Sequence, residues 1–332
     1  METILFYNRE RILEKTSVRK YEVKIGEQIE ILESLSALQQ TPAKFILIGI
    51  AEDIGIRANH GRSGAHETWE KALQTFLNLQ HTPYTHRIAL LGEIDCREEM
   101  YISNQLQPEE QNYLEALGAL VEKIDKKVSI IAKEVISYGK VPILIGGGHN
   151  NCYGLIEGAF LAKETAINTI NFDAHTDFRA LEHRHSGNGF SYAFSKGYIN
   201  KYFILGLQRN YTSQSIWDQL EQHPEQIQYL LFEDIILKNK FTYDEALQYA
   251  IDFIQHQSFG IELDLDSISS IGSSAMTPSA FDLNQARKFL YRLSHLQNCI
   301  YIHLCEGSPS HEAFTNQVGK VLSYLISDCI DD

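Results

Sequence analysis

Eight short apolar runs constrain this chain more than any other feature: Lys44–Ile50, Arg87–Gly92, Val141–Ile145, Ala166–Ile170, Tyr202–Gly206, Ile227–Phe232, Phe259–Leu263 and Cys299–Leu304. Each has the length of a strand buried on both faces and is too short for a buried helix. Most are separated by segments with apolar residues at helical spacing, such as Trp69, Ala72, Leu73 and Phe76, or Leu117, Leu120, Val121, Ile124 and Val128. The spacing predicts helices over 66–79, 107–138 (one or two), 152–163, 243–256, 283–296 and 311–327, and one at about 26–38. Strands that alternate with helices form a parallel sheet covered on both faces. A closed eight-fold barrel fits the count as well, but the long gaps after the first two runs favour an open doubly wound sheet. No repeat, low-complexity segment or linker rich in Pro or Ser divides the chain. Residues 1–332 therefore read as a single domain, with 1–43 as a polar leader packed on it.

Three of the runs end in side chains that bind metals. The fourth is followed by Asp173-Ala174-His175-Thr176-Asp177. Side chains two apart in extended backbone point the same way, so the two acids and the imidazole gather where a strand runs out. Open α/β sheets place their sites there. The third run leads into Gly146-Gly147-Gly148-His149, and the seventh into Asp264-Leu265-Asp266. A lone Asp-x-His is ordinarily a turn, a cap or a surface pair. One shared cluster of two His and four Asp explains why all three apolar segments end in ligands.

The bulk numbers narrow the classes. A chain of 332 residues with 44% hydrophobic content supports a large core. The formal net charge of −14, with no basic block, makes nucleic acid and anionic membranes poor partners. No apolar run reaches the roughly 18 residues of a membrane span. The N-terminus lacks a basic region before an apolar core, so it is not a secretory signal. Five scattered cysteines without a CxxC pair fit reduced thiols in a cytoplasmic protein.

Six ligands, four of them carboxylates, exceed what one zinc ion takes. Oxygen-rich sites with imidazole suit manganese among the hard or borderline divalent ions. Two ions sharing a bridging carboxylate can hold a water that becomes hydroxide near neutral pH and attacks an electrophilic carbon. These residues fit a two-metal hydrolase, with phosphoryl transfer left open. Glu306, just past the eighth run, suits an amidinium or guanidinium head by charge-assisted hydrogen bonds and would repel phosphate. It could also cap the helix that Ser308-Pro309 would open. The Gly-rich loop 51–65 carries Arg57, Asn59, His60 and Arg62 and reads as substrate-facing.

Taken together and in this order, Gly146-Gly147-Gly148-His149, Asp173-Ala174-His175-Thr176-Asp177 and Asp264-Leu265-Asp266 resemble the three metal motifs of the ureohydrolases. That family comprises arginase, agmatinase, guanidinobutyrase and formimidoylglutamase. The resemblance runs from about Lys44 onward. It implies a three-layer α/β/α fold with an eight-stranded, mostly parallel sheet (arginase-like) and two Mn2+ ions per chain. His149, Asp173, His175, Asp177, Asp264 and Asp266 match the ligand positions. Glu306 matches the family's glutamate for the amidine or guanidine group, with Asp177 as the other catalytic carboxylate.

The departures from the pattern point to one branch. Gly148 stands where the first motif usually has Asp, as in formimidoylglutamases. Ser267 to Ser270 replace an Asp-Pro after the third motif. Ser186-Gly187-Asn188 is followed by Gly189-Phe190, not by the histidine that arginases carry there. Arg179, two residues past Asp177, stands where arginase has a neutral amide, and suits an anionic tail by bidentate pairing. An ammonium tail such as agmatine's would be repelled.

The expected reaction is hydrolysis of N-formimidoyl-L-glutamate to L-glutamate and formamide, in histidine breakdown. Arg179, Asn188, Glu306, Arg57 and Asn59 are the expected substrate contacts. His60, His183 and His185 are candidates, by position only, for protonating the leaving nitrogen. The alternatives are an arginase, agmatinase or guanidinobutyrase-type activity, or a catalytically silent member with a binding role. Partners are a small amidine or guanidino substrate and a possible second copy of the chain.

Overall fold

The structure, a computed structural model, describes residues 3–331. All eight apolar runs are strands, and the leader adds two short ones. In chain order the strands are β1 (Ile4–Phe6), β2 (Glu30–Ile31), β3 (Phe45–Ile50), β4 (Ile88–Ile94), β5 (Val141–Ile145), β6 (Ile167–Phe172), β7 (Ile199–Leu207), β8 (Ile227–Leu231), β9 (Phe259–Asp264) and β10 (Cys299–Cys305). They form one open ten-stranded sheet in the order β1-β4-β3-β5-β10-β9-β6-β7-β8, with β2 beside β4.

The eight strands expected from sequence pair in parallel throughout. β2 joins in parallel and β1 antiparallel, both on β4. At two and three residues, neither addition is long enough to leave an apolar run. β1 is fixed by Tyr7, buried beside it, whose hydroxyl donates to Glu93 Oε2 at 2.5 Å and accepts from Trp69 Nε1 at 2.9 Å.

Alternation along the strands feeds two apolar layers. Phe45 and Leu47 face one side, where helices Thr68–Leu77, Tyr243–Ile254, Leu283–Ser294 and Gln317–Ile330 pack. Ile46, Ile48 and Ile50 face the other, covered by Tyr113–Ser137, Asn151–Lys163 and Gly189–Ser195. The result is the three-layer α/β/α arrangement; an open sheet rules out the barrel.

Three helix expectations need correction. The one at 26–38 is a single turn at Ile25–Gln28, then β2, then a 3-10 turn at Leu35–Gln39. Pairing with β4 and burial of Ile29 and Leu32 override the local pattern. The region 107–138 contains Tyr113–Ser137 and is preceded by a separate helix, Arg97–Ser103. The last helix begins at Gln317, because Glu312 accepts from the main-chain nitrogens of Asn316 and Val318 and sets its start there. Among the described residues, no helix is long and apolar enough to cross a membrane.

Candidate metal centre and substrate cleft

Strands β5, β10, β9 and β6 are neighbours at the middle of the sheet, and all are parallel, so their carboxyl ends meet at one edge. After β5 the chain turns through Gly146 at φ +97° and Gly147 at φ +67°, a region that favours glycine. Glu52, fully buried, fixes this turn by accepting from Gly148 N at 3.0 Å and Asn151 Nδ2 at 2.7 Å. A Cβ on Gly148 would lie 2.5 Å from Asn150 Oδ1 and 2.9 Å from Ile56 Cγ1, so an aspartate does not fit here without movement.

The turn delivers His149 into the group ending β6 and β9. Its Nδ1 lies 2.9 Å from Asp177 Oδ2, 3.2 Å from Asp264 Oδ2 and 3.4 Å from Asp173 Oδ2. His175 Nδ1 lies 3.4 Å from Asp173 Oδ1 and 3.3 Å from Asp266 Oδ2. Two of three potential ligand sets meet here: His149, Asp173, Asp177 and Asp264; and Asp173, His175 and Asp266; the third, His149, His303 and Cys305, is on the side of β10. Asp173 belongs to both, one carboxylate oxygen to each, as a bridging ligand requires. His149 Nδ1 and Asp266 Oδ1 are buried without a hydrogen-bond partner. Unpartnered buried donor atoms in two oxygen-rich sets with one imidazole each fit two divalent cations of the manganese type. The backbone is strained here too, with Asp177 at φ +44° and Glu306 at φ +61°.

Electrostatics agree with a cation site. Burial, then the charge of Asp266 and Asp173, holds Asp264 well above the usual carboxylate range. Burial and the Asp173 charge raise Asp177. Glu306 is pushed up to about 8 by burial, helped by Asp266 and Asp177. Burial disfavours charge on His149 and His175, but the surrounding acidic groups outweigh it and raise both. Positive charge at the centre would reverse the cost of ionising these carboxylates.

Above the cluster opens a cleft of 660 Å³ lined by His175, Asp177, Asp264, Asp266, Glu306, Asn59, Arg179, Glu182, Ser186 and Tyr211, among others. Glu306 accepts from His149 N at 2.8 Å through Oε1. It caps no helix, for only a 3-10 turn, Pro309–His311, follows it. Arg179 Nη1 donates to Asn59 Oδ1 at 2.7 Å, and Asn59 Nδ2 to Ser186 Oγ at 3.2 Å, so the expected tail contacts Arg179 and Asn59 form one wall. Tyr211 lies against the His175 ring at 5.0 Å.

Two expected substrate contacts are placed elsewhere. Arg57 sits in the helical turn Ile54–Ala58 and faces away from the cleft, 3.1 Å from Asp53 Oδ1 and bonded to Ser103 Oγ and Asn104 Oδ1. Asn188 is fully buried, where it accepts from His185 N and donates to His183 O. The candidate proton donors His60, His183 and His185 are also outside the cleft lining. His183 Nε2 contacts Ala58 O, and His185 Nδ1 accepts from Gly187 N.

Beneath the cluster lies a buried polar row outside the expectations from sequence. Asn171, Glu262 and His303 are each fully buried on β6, β9 and β10. Their signal was present, since a glutamate and a histidine interrupt Phe259–Asp264 and Cys299–Cys305, whose other residues are largely apolar. Asn171 Nδ2 donates to Asp173 Oδ2 at 2.9 Å, and His175 N to Asp173 Oδ1 at 2.7 Å, which fixes the shared carboxylate.

Fold and site together define an α/β/α protein with two candidate cation-ligand sets, sharing Asp173, at the carboxyl edge of a parallel sheet. The chain belongs to the arginase family, whose model matches residues 43–329. It is 26% identical over 286 residues to the formimidoylglutamase of Macrococcus caseolyticus, spanning 84% of this chain and 82% of that one. Among solved structures it resembles formimidoylglutamase from Bacillus subtilis (TM-score 0.73, 17% identity, 95% of this chain and 93% of that one). It also resembles Trypanosoma cruzi formiminoglutamase with Mn2+2 (TM-score 0.73, 16% identity, 93% and 97%).

Proposed function

We propose that this protein hydrolyses N-formimidoyl-L-glutamate to L-glutamate and formamide, with two Mn2+ ions held by His149, Asp173, His175, Asp177, Asp264 and Asp266. The observation that carries this is the convergence of two ligand sets on Asp173, at the foot of a cleft also lined by Glu306 and Arg179. Membership of the arginase family and curated formimidoylglutamase relatives support it. When bound, such ions make water nucleophilic at neutral pH and offset developing negative charge.

The chain's own residues do the rest. Glu306 holds the amidinium N–H groups by charge-assisted hydrogen bonds, and Arg179 pairs with a tail carboxylate. Asn59 braces Arg179. Asp177 takes the proton of the attacking water. Water adds to the formimidoyl carbon, the proton held by Asp177 passes to the glutamate nitrogen, and the C–N bond to that nitrogen breaks to release L-glutamate and formamide. Residues 1–332 act as one domain with 1–43 as its leader, in the cytoplasm, with a small molecule as substrate and a second copy of the chain as a possible partner.

One observation favours a second reading. Glu182 lines the same cleft as Arg179, and such a pair of charges suits an amino acid zwitterion, as in arginine. A turnover panel of formimidoylglutamate, arginine, agmatine and guanidinobutyrate, with metal content measured on the same sample, decides. Formimidoylglutamate is expected to be the preferred substrate, with two Mn2+ per chain. Preference for arginine would discard the tail assignment and keep the centre.

A further inference from the structure

Asn171, Glu262 and His303 occupy one level of the sheet. Asn171 pairs with Glu262 across β6 and β9, and His303 with Glu262 across β9 and β10. Each stands two residues before Asp173, Asp264 and Cys305 respectively, so the row lies directly beneath the ligand cluster on the same face. His303 Nδ1 is 2.6 Å from Glu262 Oε2. The same oxygen is 3.4 Å from His149 Nε2, the ring nitrogen opposite the one that faces the aspartates. His149 Nε2, Glu262 Oε1 and His303 Nε2 are all buried without a hydrogen-bond partner.

The His149 ring thus has acidic neighbours on opposite sides, three aspartates at Nδ1 and Glu262 at Nε2. A histidine that ligates through Nδ1 must present a lone pair there and carry its proton on Nε2. That N–H, fully buried, needs an acceptor. Glu262 is the carboxylate opposite it. A carboxylate buried in mid-sheet is costly unless partnered, and His303 supplies the partner on the neighbouring strand. Carboxylates behind ligating histidines fix the tautomer and orientation and raise ligand basicity.

We propose that Glu262, braced by His303, is a positioning residue for the ion at His149: it accepts the Nε2 proton and holds Nδ1 toward Asp173, Asp177 and Asp264. This rests on the reading of His149 as an ion ligand. The three central strands then each supply one member of a supporting layer, as they supply the cluster above it.

The test is Mn2+ titration of the full chain, wild type against Glu262→Gln, Glu262→Leu and His303→Gln, with Asp264→Ala as control. The melting temperature of each metal-free protein is measured in parallel. Glu262→Leu is expected to weaken the tighter Mn2+ by about 10–100-fold, with Glu262→Gln and His303→Gln intermediate; the metal-free melting temperature falls in Glu262→Leu, which leaves His303 unpaired, and less in the two Gln variants. Glu262→Leu or His303→Gln binding Mn2+ as the wild type does would overturn the proposal. So would a lowered metal-free melting temperature with unaltered affinity, which marks a purely structural role. A third Mn2+ in the wild type that is lost in Glu262→Leu would overturn it too, because the row would itself be an ion site. If Asp264→Ala also keeps two tight ions, it is the metal reading of the cluster that fails.

Discussion

Arg179 and Asp53 show how differently two charged residues can act. Arg179 lines the cleft and is held by Asn59. A charge-assisted hydrogen bond contributes about 1.5–3 kcal/mol, so Arg179→Asn is expected to raise KM for formimidoylglutamate about 10–100-fold. The effect on kcat should be smaller, since the tail is bound equally before and during reaction. Steady-state kinetics that leave KM unchanged would remove Arg179 from the substrate contacts.

Asp53 is structural. Burial raises it, but hydrogen bonds from His66, Gly64 N and Ser63, with the charge of Arg57, outweigh burial and bring it down to about 2. Its folded value lies below its unfolded one, so its stabilisation is complete above about pH 4 and lost as pH falls through about 2. Asp53→Asn should therefore lower stability at pH 7 by about 2 kcal/mol. Denaturant melts at successive pH values should show the two proteins converging toward pH 2; a gap that persists there would contradict the assignment.

At the scale of elements, the segment between Asp177 and the helix Gly189–Ser195 has almost no regular structure, yet Arg184 secures it. Arg184 is 2% exposed and donates to Asp125 through Nε at 3.0 Å and Nη2 at 3.2 Å. It also reaches Asn150 O at 3.1 Å, tying this segment to the turn that carries His149. Removing one member of a buried pair leaves the other unpaired, so Arg184→Ala is expected to cost about 3–5 kcal/mol, read as a shifted urea midpoint.

The elements differ in how well the sequence announces them. Strands buried on both faces read as unbroken apolar runs, so the eight parallel strands were legible, and so was the convergence of the candidate ligands, because a strand's end fixes where they lie. β1 and β2 are too short to leave a pattern. Arg57 and Asn188 could not be placed because side-chain direction in a loop depends on partners distant in sequence: Ser103 and Asn104 hold Arg57, while Asn188 is locked with Arg184. Glu262 and His303 interrupt apolar strands, but the role of a polar residue in mid-strand cannot be assigned until its neighbours across the sheet are known.

For the whole molecule, ion binding and stability are linked. Ligands that bind only the folded state stabilise it by about 4 kcal/mol at 1,000 times Kd for each site. Mn2+ should raise the melting temperature of the wild type, and that of Asp264→Ala much less. The imidazoles His149 and His175 are raised, so the ion-free protein holds protons there that ligation must displace. Mn2+ affinity is therefore expected to fall as pH drops from 8 to 6, with proton release seen when calorimetry is repeated in buffers of different ionisation enthalpy. Affinity independent of pH would exclude these histidines as ligands.

The position of β10 also has a consequence for biosynthesis. It is the last strand made, yet it sits between β5 and β9. Until it is in place the nascent chain holds two separate half-sheets: β1-β4-β3-β5, which leads to His149, and β9-β6-β7-β8, which carries the five other candidate ligands. At about 5–20 residues per second, the ribosome makes the 39 residues from Asp266 to Cys305 in a few seconds. Over that interval no strand yet joins the half of the sheet that leads to His149 to the half that carries the other five candidate ligands. The complete centre closes only when the final strand slides between the halves, so a chain truncated before Cys299 should leave the ribosome unable to hold its full pair of ions.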